Sequence, residues 1–320
     1  MHPLEPVPLP EVLAARDRIA GKAARTPLVR LDVDTPADIY LKLENLQPIG
    51  SFKIRGAGNA LLKQKRAGLS KGVYTASAGN MAQGVAWNAR HLGVPCHVVV
   101  PDTAPQTKLD AIERLGGHII KVPFDEWWRV IVTHHYPGLD AVFVHPVSDP
   151  DVMAGNGTIG LEILEDLPDV DTVLVPYGGG GLSCGIASVM RDQRPQTKVF
   201  ACEVETAAPF AASLERGEAT EIDRQQTFID GIGGKSVLSE MWPLASQLLS
   251  GSLVTTVERI VSAIRTIAER NHVIAEGAGA AAVAIALTGD AGGGKIVCVV
   301  SGGNIDVTTL ATILRGDIPG

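Results

Sequence analysis

Short runs of β-branched and other apolar residues alternate along this chain with longer segments that are apolar on one face only. Ile39 to Leu43, Gly72 to Ala76, His97 to Val100, His118 to Val122, Val142 to Val144, Thr172 to Val175, Lys198 to Cys202 and Ile296 to Val300 each fit a short buried strand. Helical patterns separate them. The first runs from Leu9 to Ala24, and a second from Lys53 through Leu61-Leu62 to about Arg66, ending near Gly68. After Asn80 the apolar positions Met81, Val85 and Ala89 share one helical face, and Pro105 to Leu115 is closed by Gly116-Gly117. Further helices are expected from about Asp125, over Val152 to Leu164, Leu182 to Met190, Pro209 to Arg216 and Val257 to Arg270, after Glu276, and after Asn304. Pro3 to Pro10 predicts an extended arm. Strands alternating with helices predict parallel α/β sheets. No linker, low-complexity tract or internal repeat interrupts the series.

The 320 residues, 45% apolar content and 35 glycines suit a soluble globular chain with room for two lobes, each with its own core. A formal charge of −7 argues against nucleic acid or an anionic membrane as partner. No apolar run reaches spanning length, and Met1 to Pro10 holds four prolines and no signal-peptide core, so a cytoplasmic protein is expected. Cys96, Cys184, Cys202 and Cys298 are scattered, which predicts buried thiols in a reducing compartment. The histidines form no H-E-x-x-H. The adjacent His134-His135 would diverge on a helix and make a poor ligand pair.

Chemistry concentrates at Lys42-Leu43-Glu44-Asn45-Leu46-Gln47-Pro48-Ile49-Gly50-Ser51-Phe52-Lys53-Ile54-Arg55-Gly56-Ala57. A lysine opening a helix is ordinarily a solvated cation. Here Pro48 and Gly50 make an abrupt turn, Phe52 is an aromatic neighbour, and a helix N-terminus disfavours a cation. Together these features suggest a neutral, condensed amine at Lys53. Gly178-Gly179-Gly180-Gly181 follows a strand and opens a helix, so its backbone N–H groups could close on an anion. Taken alone, the run also fits a dinucleotide loop or a tight crossover. Its late position disfavours the former, and no Gly-Lys-Ser/Thr follows for a P-loop. Ser301-Gly302-Gly303-Asn304 reads by itself as a helix cap. Ser77-Ala78-Gly79-Asn80 reads as a cap or a carboxylate cradle.

Ser51-Phe52-Lys53-x-Arg55-Gly56-Ala57 after Lys42-Leu43-Glu44-x-x-Gln47-Pro48 resembles the cofactor-lysine segment of the pyridoxal-phosphate-dependent threonine/serine dehydratase and serine racemase family, fold type II. Further matches run from Arg25-Thr26-Pro27-Leu28 to Ser301-Gly302-Gly303-Asn304, nearly the whole chain. The resemblance implies a two-lobed α/β fold, each lobe a largely parallel twisted sheet flanked by helices. Residues 1–70 and 147–320 would form the larger, cofactor-binding lobe, with 71–146 inserted as the smaller one and no regulatory domain. It implies pyridoxal 5'-phosphate held covalently by Lys53 beside Phe52, its phosphate on Gly178, Gly179, Gly180, Gly181 and Leu182, its 3-oxygen near Asn80 and its pyridine nitrogen near Ser301. A hydroxyl at that nitrogen leaves the ring a weaker electron sink than a carboxylate would, which favours expelling a β-substituent. The substrate, a small amino acid, would lie on Ser77, Ala78, Gly79 and Asn80, with Met81 and Trp128 at its rim, and a homodimer is expected.

Four positions depart from the family pattern. Serine racemases carry a second serine where this chain has Ala78, and an alanine has no proton to give the opposite face of a carbanion. Met81 replaces a histidine of many relatives. The family's cation site would use Glu203, the Ala207 carbonyl and an acid six residues after Glu203, where Pro209 stands, so no metal is expected. Trp128 stands where serine racemases have an arginine. Burial in the smaller lobe's core is one use for it, and a wall for a larger substrate side chain is another. The reading is dehydration and deamination of a threonine- or serine-type β-hydroxy amino acid to a 2-oxo acid and ammonia. An arylserine, a hydroxyectoine-derived amino acid, racemisation or β-replacement on the same fold, and a nucleotide-binding protein without lysine chemistry are the alternatives.

Overall fold

The computed structural model describes residues 4–319, and in it the alternating pattern resolves into two separate sheets. In chain order the elements are α1 (Leu9–Ile19), β1 (Leu28–Arg30), β2 (Asp38–Leu43), α2 (Lys53–Lys63), β3 (Val73–Ala76), α3 (Asn80–Leu92), β4 (Cys96–Pro101), α4 (Gln106–Arg114), β5 (Gly117–Val122), α5 (Phe124–Thr133) and β6 (Val142–Phe143). They continue as α6 (Pro150–Asp166), β7 (Thr172–Pro176), α7 (Gly181–Gln193), β8 (Lys198–Val204), α8 (Pro209–Arg216), α9 (Trp242–Leu248), β9 (Ser252–Thr255), α10 (Val257–Asn271), α11 (Gly277–Ala286), β10 (Lys295–Val300) and α12 (Val307–Arg315). The larger sheet has the order β1-β2-β10-β7-β8-β9, and the smaller one β5-β4-β3-β6. The smaller sheet is drawn wholly from the chain between α2 and α6, so the polypeptide leaves the larger sheet once and returns to it.

Along β10 the side chains of Val297 and Val299 enter one apolar cluster, while Ile296, Cys298 and Val300 enter another on the opposite face. Both faces are covered by helices, which is why the strand reads as an unbroken apolar run rather than an alternation. The smaller sheet repeats this with Val98 and Val100 facing one way and Val99 the other. Helices α2, α6 and α7 pack in contact on the larger lobe. A Cβ on Gly155 of α6 would stand 2.5 Å from the Arg55 carbonyl of α2, so only glycine permits this approach. The close approach fixes the start of α2, where Lys53 sits. Among the described residues no helix is long and apolar enough to cross a membrane.

The sheets are largely parallel, with one antiparallel pair, β1 on β2 with Val29 opposite Leu41, as an edge hairpin. Several expectations need correction. Helix α1 stops at Ile19 rather than Ala24, because Gly21 takes a left-handed φ of 74°. Helix α2 stops at Lys63 rather than Arg66, where Gln64 turns extended. Of the proline-rich arm, Pro3 lies outside the described residues; residues 4–8 form no regular element, and the Val7 N–H donates to Ser188 Oγ at 3.0 Å. The last helix is capped by Asp306, which accepts from the Thr308 and Thr309 amides, and Ser301 and Asn304 lie before it. The capping reading of Ser301 is therefore wrong.

Candidate active site

Lys53 occupies the first position of α2, after a turn in which Gly50 adopts φ 71°. Its Nζ has an acceptor from outside the helix. It crosses to the Pro146 carbonyl at 2.8 Å and passes 5.1 Å from the centre of the Phe52 ring. Burial is the cause that lowers its pKa, to about 8. No acidic group pairs with the amine among the described residues.

The helix is anchored from below by buried charges. Arg55, two residues on, holds the Glu44 carboxylate through Nε and Nη2, each at 2.8 Å, and Glu162 through Nη1 and Nη2 at 2.6 and 2.9 Å. Lys42 Nζ reaches Glu162 at 2.6 Å, and the Thr26 hydroxyl donates to Glu44 at 2.6 Å. Two cations and two carboxylates cancel, and every partner is hydrogen-bonded, which is the condition under which buried ions are tolerated. These residues belong to the sequence stretches singled out above, where no role was given to Lys42, Glu44 or Arg55.

Ser301 directly follows β10 and is buried; its carbonyl accepts from the Phe52 N–H at 3.0 Å, tying it to the lysine turn. Gly303 N–H closes the same junction on the Gly50 carbonyl at 2.9 Å. The Ser301 hydroxyl has no protein partner among the described residues.

The glycine run joins β7 to α7. Gly180 is the cap of α7 with φ 99°, and a Cβ there would lie 2.9 Å from the Met241 methyl. At Gly179 it would strike the Val147 side chain at 2.7 Å, and at Gly181 the Val147 carbonyl at 2.7 Å. The N–H groups of Gly178, Gly179, Gly180, Gly181 and Leu182 donate to no protein acceptor among the described residues. A bare run of donors at a helix N-terminus is a cradle for an oxyanion.

Ser77-Ala78-Gly79 links β3 to α3. The Ser77 hydroxyl accepts from the Gly79 N–H at 3.2 Å, a local turn rather than a cap, and the Ala78 and Asn80 amides stay free. Asn80 is locked: its Oδ1 accepts from Asn304 Nδ2 at 2.8 Å, and its Nδ2 donates to Glu276 Oε1 at 2.8 Å. Glu276 is the residue that sequence reasoning missed. Burial raises its pKa to about 7, with the Asp230 charge adding to the effect. Cβ atoms on Gly302 and Gly231 would fall 2.4 and 3.4 Å from its Oε1. Gly231 also faces Gly178, so this carboxyl closes the ring of elements around the site. The signal was available: Glu276 precedes ten consecutive helical residues without a charge, and a lone acid there has no solvated face to occupy.

Of the two rim residues, Met81 stands elsewhere than expected. Met81 is 2% exposed and packs in the apolar core of the smaller lobe, so it offers no surface to a substrate. The i-to-i+4 face it shares with Val85 and Ala89 is the buried one. Trp128 is half-buried; it packs against the core and also lines a cavity of about 280 Å³ with Val132, Ser236 and Glu240. Glu203 is capped by protein, its carboxylate accepting from the Phe210 and Ala211 amides and the Ser252 hydroxyl at 2.9, 2.8 and 2.6 Å.

The sequence family described as pyridoxal-phosphate dependent enzyme matches residues 19–302. The L-threonine ammonia-lyase of Geobacter sulfurreducens is 40% identical over 316 residues, covering 97% of this chain and 78% of that protein. Maize serine racemase superposes with a TM-score of 0.89 at 32% identity, over 98% of both chains. The processed form of threonine deaminase isoform 2 from Solanum lycopersicum gives 0.85 at 31% identity, over 98% of this chain and 91% of that one.

Proposed function

The chain belongs to the pyridoxal-phosphate-dependent enzyme family, fold type II, and within it we propose that it dehydrates and deaminates a β-hydroxy amino acid of the threonine or serine type. The residues fit the cofactor: a glycine run packed too closely on Val147 and Met241 for a side chain, five free amides, a Ser301 hydroxyl without a protein partner among the described residues, and a lysine amine with a lowered pKa. Pyridoxal phosphate, when bound, supplies the electron sink for the bond broken at the substrate α-carbon. The amides of Gly178 to Leu182 would hold its phosphate, Ser301 would donate to the pyridine nitrogen, and Asn80 would turn its remaining N–H towards the 3-oxygen. Ser77 and the free Ala78 and Asn80 amides would hold the substrate carboxylate.

Lys53 would hold the cofactor covalently and, when its amine is free, take the α-proton. Burial leaves a useful neutral fraction near pH 8, where an ordinary lysine has almost none. The observation that carries dehydration over racemisation is Ala78. By resemblance, Ala78 puts a methyl group where serine racemases carry the second proton donor. Released 2-oxo acid and D-isomer are followed together from L-threonine and L-serine. Elimination should exceed racemisation by at least about tenfold, and equal rates would overturn the assignment.

A second reading is a substrate with a larger side chain. Trp128 and Val132 offer apolar area to a cavity that none of Lys53, Ser77, Gly178 to Leu182 or Ser301 lines. Its test is the substrate comparison set out in the Discussion.

A further inference from the structure

His145 is 2% exposed and has no place in the chemistry above, yet each of its ring nitrogens is committed. Nε2 lies 3.1 Å from the Ile131 carbonyl, which can only accept, so this nitrogen carries the hydrogen. Nδ1 accepts the Val147 N–H at 3.1 Å and the Ser148 N–H at 2.8 Å. A protonated Nδ1 would meet both donors, and burial, with the stacked His134 ring next, lowers the pKa to about 3. His134, Glu240 and His145 cluster closely enough to suggest a cation site. The hydrogen bonds remove that reading, because neither ring nitrogen of His145 has a lone pair left.

The Val147 N–H and the Pro146 C=O belong to one planar trans peptide and point in opposite directions. Drawing the N–H towards the His145 ring therefore aims the carbonyl the other way, and there it meets Lys53 Nζ at 2.8 Å. The proline ring fixes φ on the near side. Val147 fills the space against Gly179 on the far side. We propose that His145 is a positioning residue for Lys53, folding the 145–148 turn so that the Pro146 carbonyl receives and orients the free lysine amine. This rests on the reading of Lys53 as the cofactor lysine and base.

The charged and titratable groups around the turn are Lys53 itself, His134 stacked on the ring at 4.2 Å, Asp149, whose carboxylate caps α6, and Glu240, which accepts from the Ser148 hydroxyl at 3.1 Å. A carbonyl acceptor stabilises the ammonium form of Lys53. Its loss therefore lowers the amine's pKa and leaves the neutral amine unaimed.

The test compares His145→Asn, whose amide oxygen takes the place of Nδ1, with His145→Gln, whose amide group takes the place of Nε2. In the full chain stripped of cofactor, the pH dependence of Lys53 labelling by trinitrobenzenesulfonate, followed by peptide mass spectrometry, gives the amine's midpoint. His145→Asn should match the parent, and His145→Gln should fall by about half a unit to one unit. In the holoenzymes, His145→Gln should lose about five- to tenfold in kcat with KM unchanged. Unchanged behaviour in both variants, or an equal change in both, overturns the proposal. Borohydride reduction of the parent holoenzyme separates the two ideas. Cofactor fixed to the Lys53 peptide with unaltered midpoints sinks the role of His145 alone, and cofactor fixed elsewhere sinks the lysine reading with it.

Discussion

Arg55 holds Glu44 through a two-pronged contact, Nε to one carboxylate oxygen and Nη2 to the other, both at 2.8 Å and both fully enclosed. Burial acts first to raise the Glu44 pKa, but the Arg55 charge and hydrogen bonds outweigh it and leave it lowered. Arg55→Ala would strand the Glu44 carboxylate, leave Glu162 to Lys42 alone, and should cost about 3–5 kcal/mol. Urea unfolding reads this directly. Arg55→Lys should recover little, since an ammonium cannot reproduce the fork. A loss under 1 kcal/mol in the alanine variant would show that water relieves these acids.

Lys53→Ala should remain folded but lose the cofactor–protein bond and turnover, by on the order of a thousandfold or more. The parent should be yellow and bleach with hydroxylamine, and the variant colourless after dialysis. Full activity in the variant would end the assignment of Lys53.

Ser301→Ala removes a hydroxyl with no protein partner among the described residues, so stability should change by less than about 0.5 kcal/mol. Cofactor should still bind while elimination slows by about five- to tenfold, the worth of one hydrogen bond. Unaltered kinetics would leave Ser301 with only its backbone role at Phe52.

Glu276 gives a pH signature. Its folded pKa of about 7 lies above the ordinary carboxylate value, so the folded chain binds the extra proton between those limits. The contribution is full below about pH 4.5 and is lost as pH rises through about 7, on the order of 2–3 kcal/mol for the stripped chain. Glu276→Gln should flatten that interval in unfolding measurements made at pH 5 and pH 8. An unaltered slope would show that Glu276 stays ionised in the fold.

Trp128→Ala distinguishes wall from core. If the indole contacts substrate, turnover of phenylserine should fall about tenfold to a hundredfold relative to threonine. Equal losses on both substrates would assign the ring to packing.

Much of the scaffold was legible because long periodic segments carry their own evidence. The helix expected over Val257 to Arg270 is α10, Val257–Asn271, and Pro209 to Arg216 is α8. What escaped was short. β1 has three residues, β9 has four and α9 begins with a proline in its first turn, so none offers a full period. The lysine, the glycine run and Ser301 stood out as violations of local preference. Glu276, Arg55 and His145 did not, because their roles arise from partners 196, 107 and 14 residues away. Met81 lies on the buried face that the helix period of Met81, Val85 and Ala89 predicts, and not at the rim that the motif match implies.

The four cysteines are all buried and free. Enclosure in apolar surroundings pushes the Cys96 and Cys184 thiols up to about 12, and those of Cys202 and Cys298 upward as well. Thiolate is the reactive form, so in neutral solution the native chain is nearly silent to alkylating reagents. The molecule thus carries an internal clock of its own opening. The rate at which iodoacetamide counts sulfurs measures how often the fold lets solvent in, and cysteines introduced on the surface could be tagged without removing the native four.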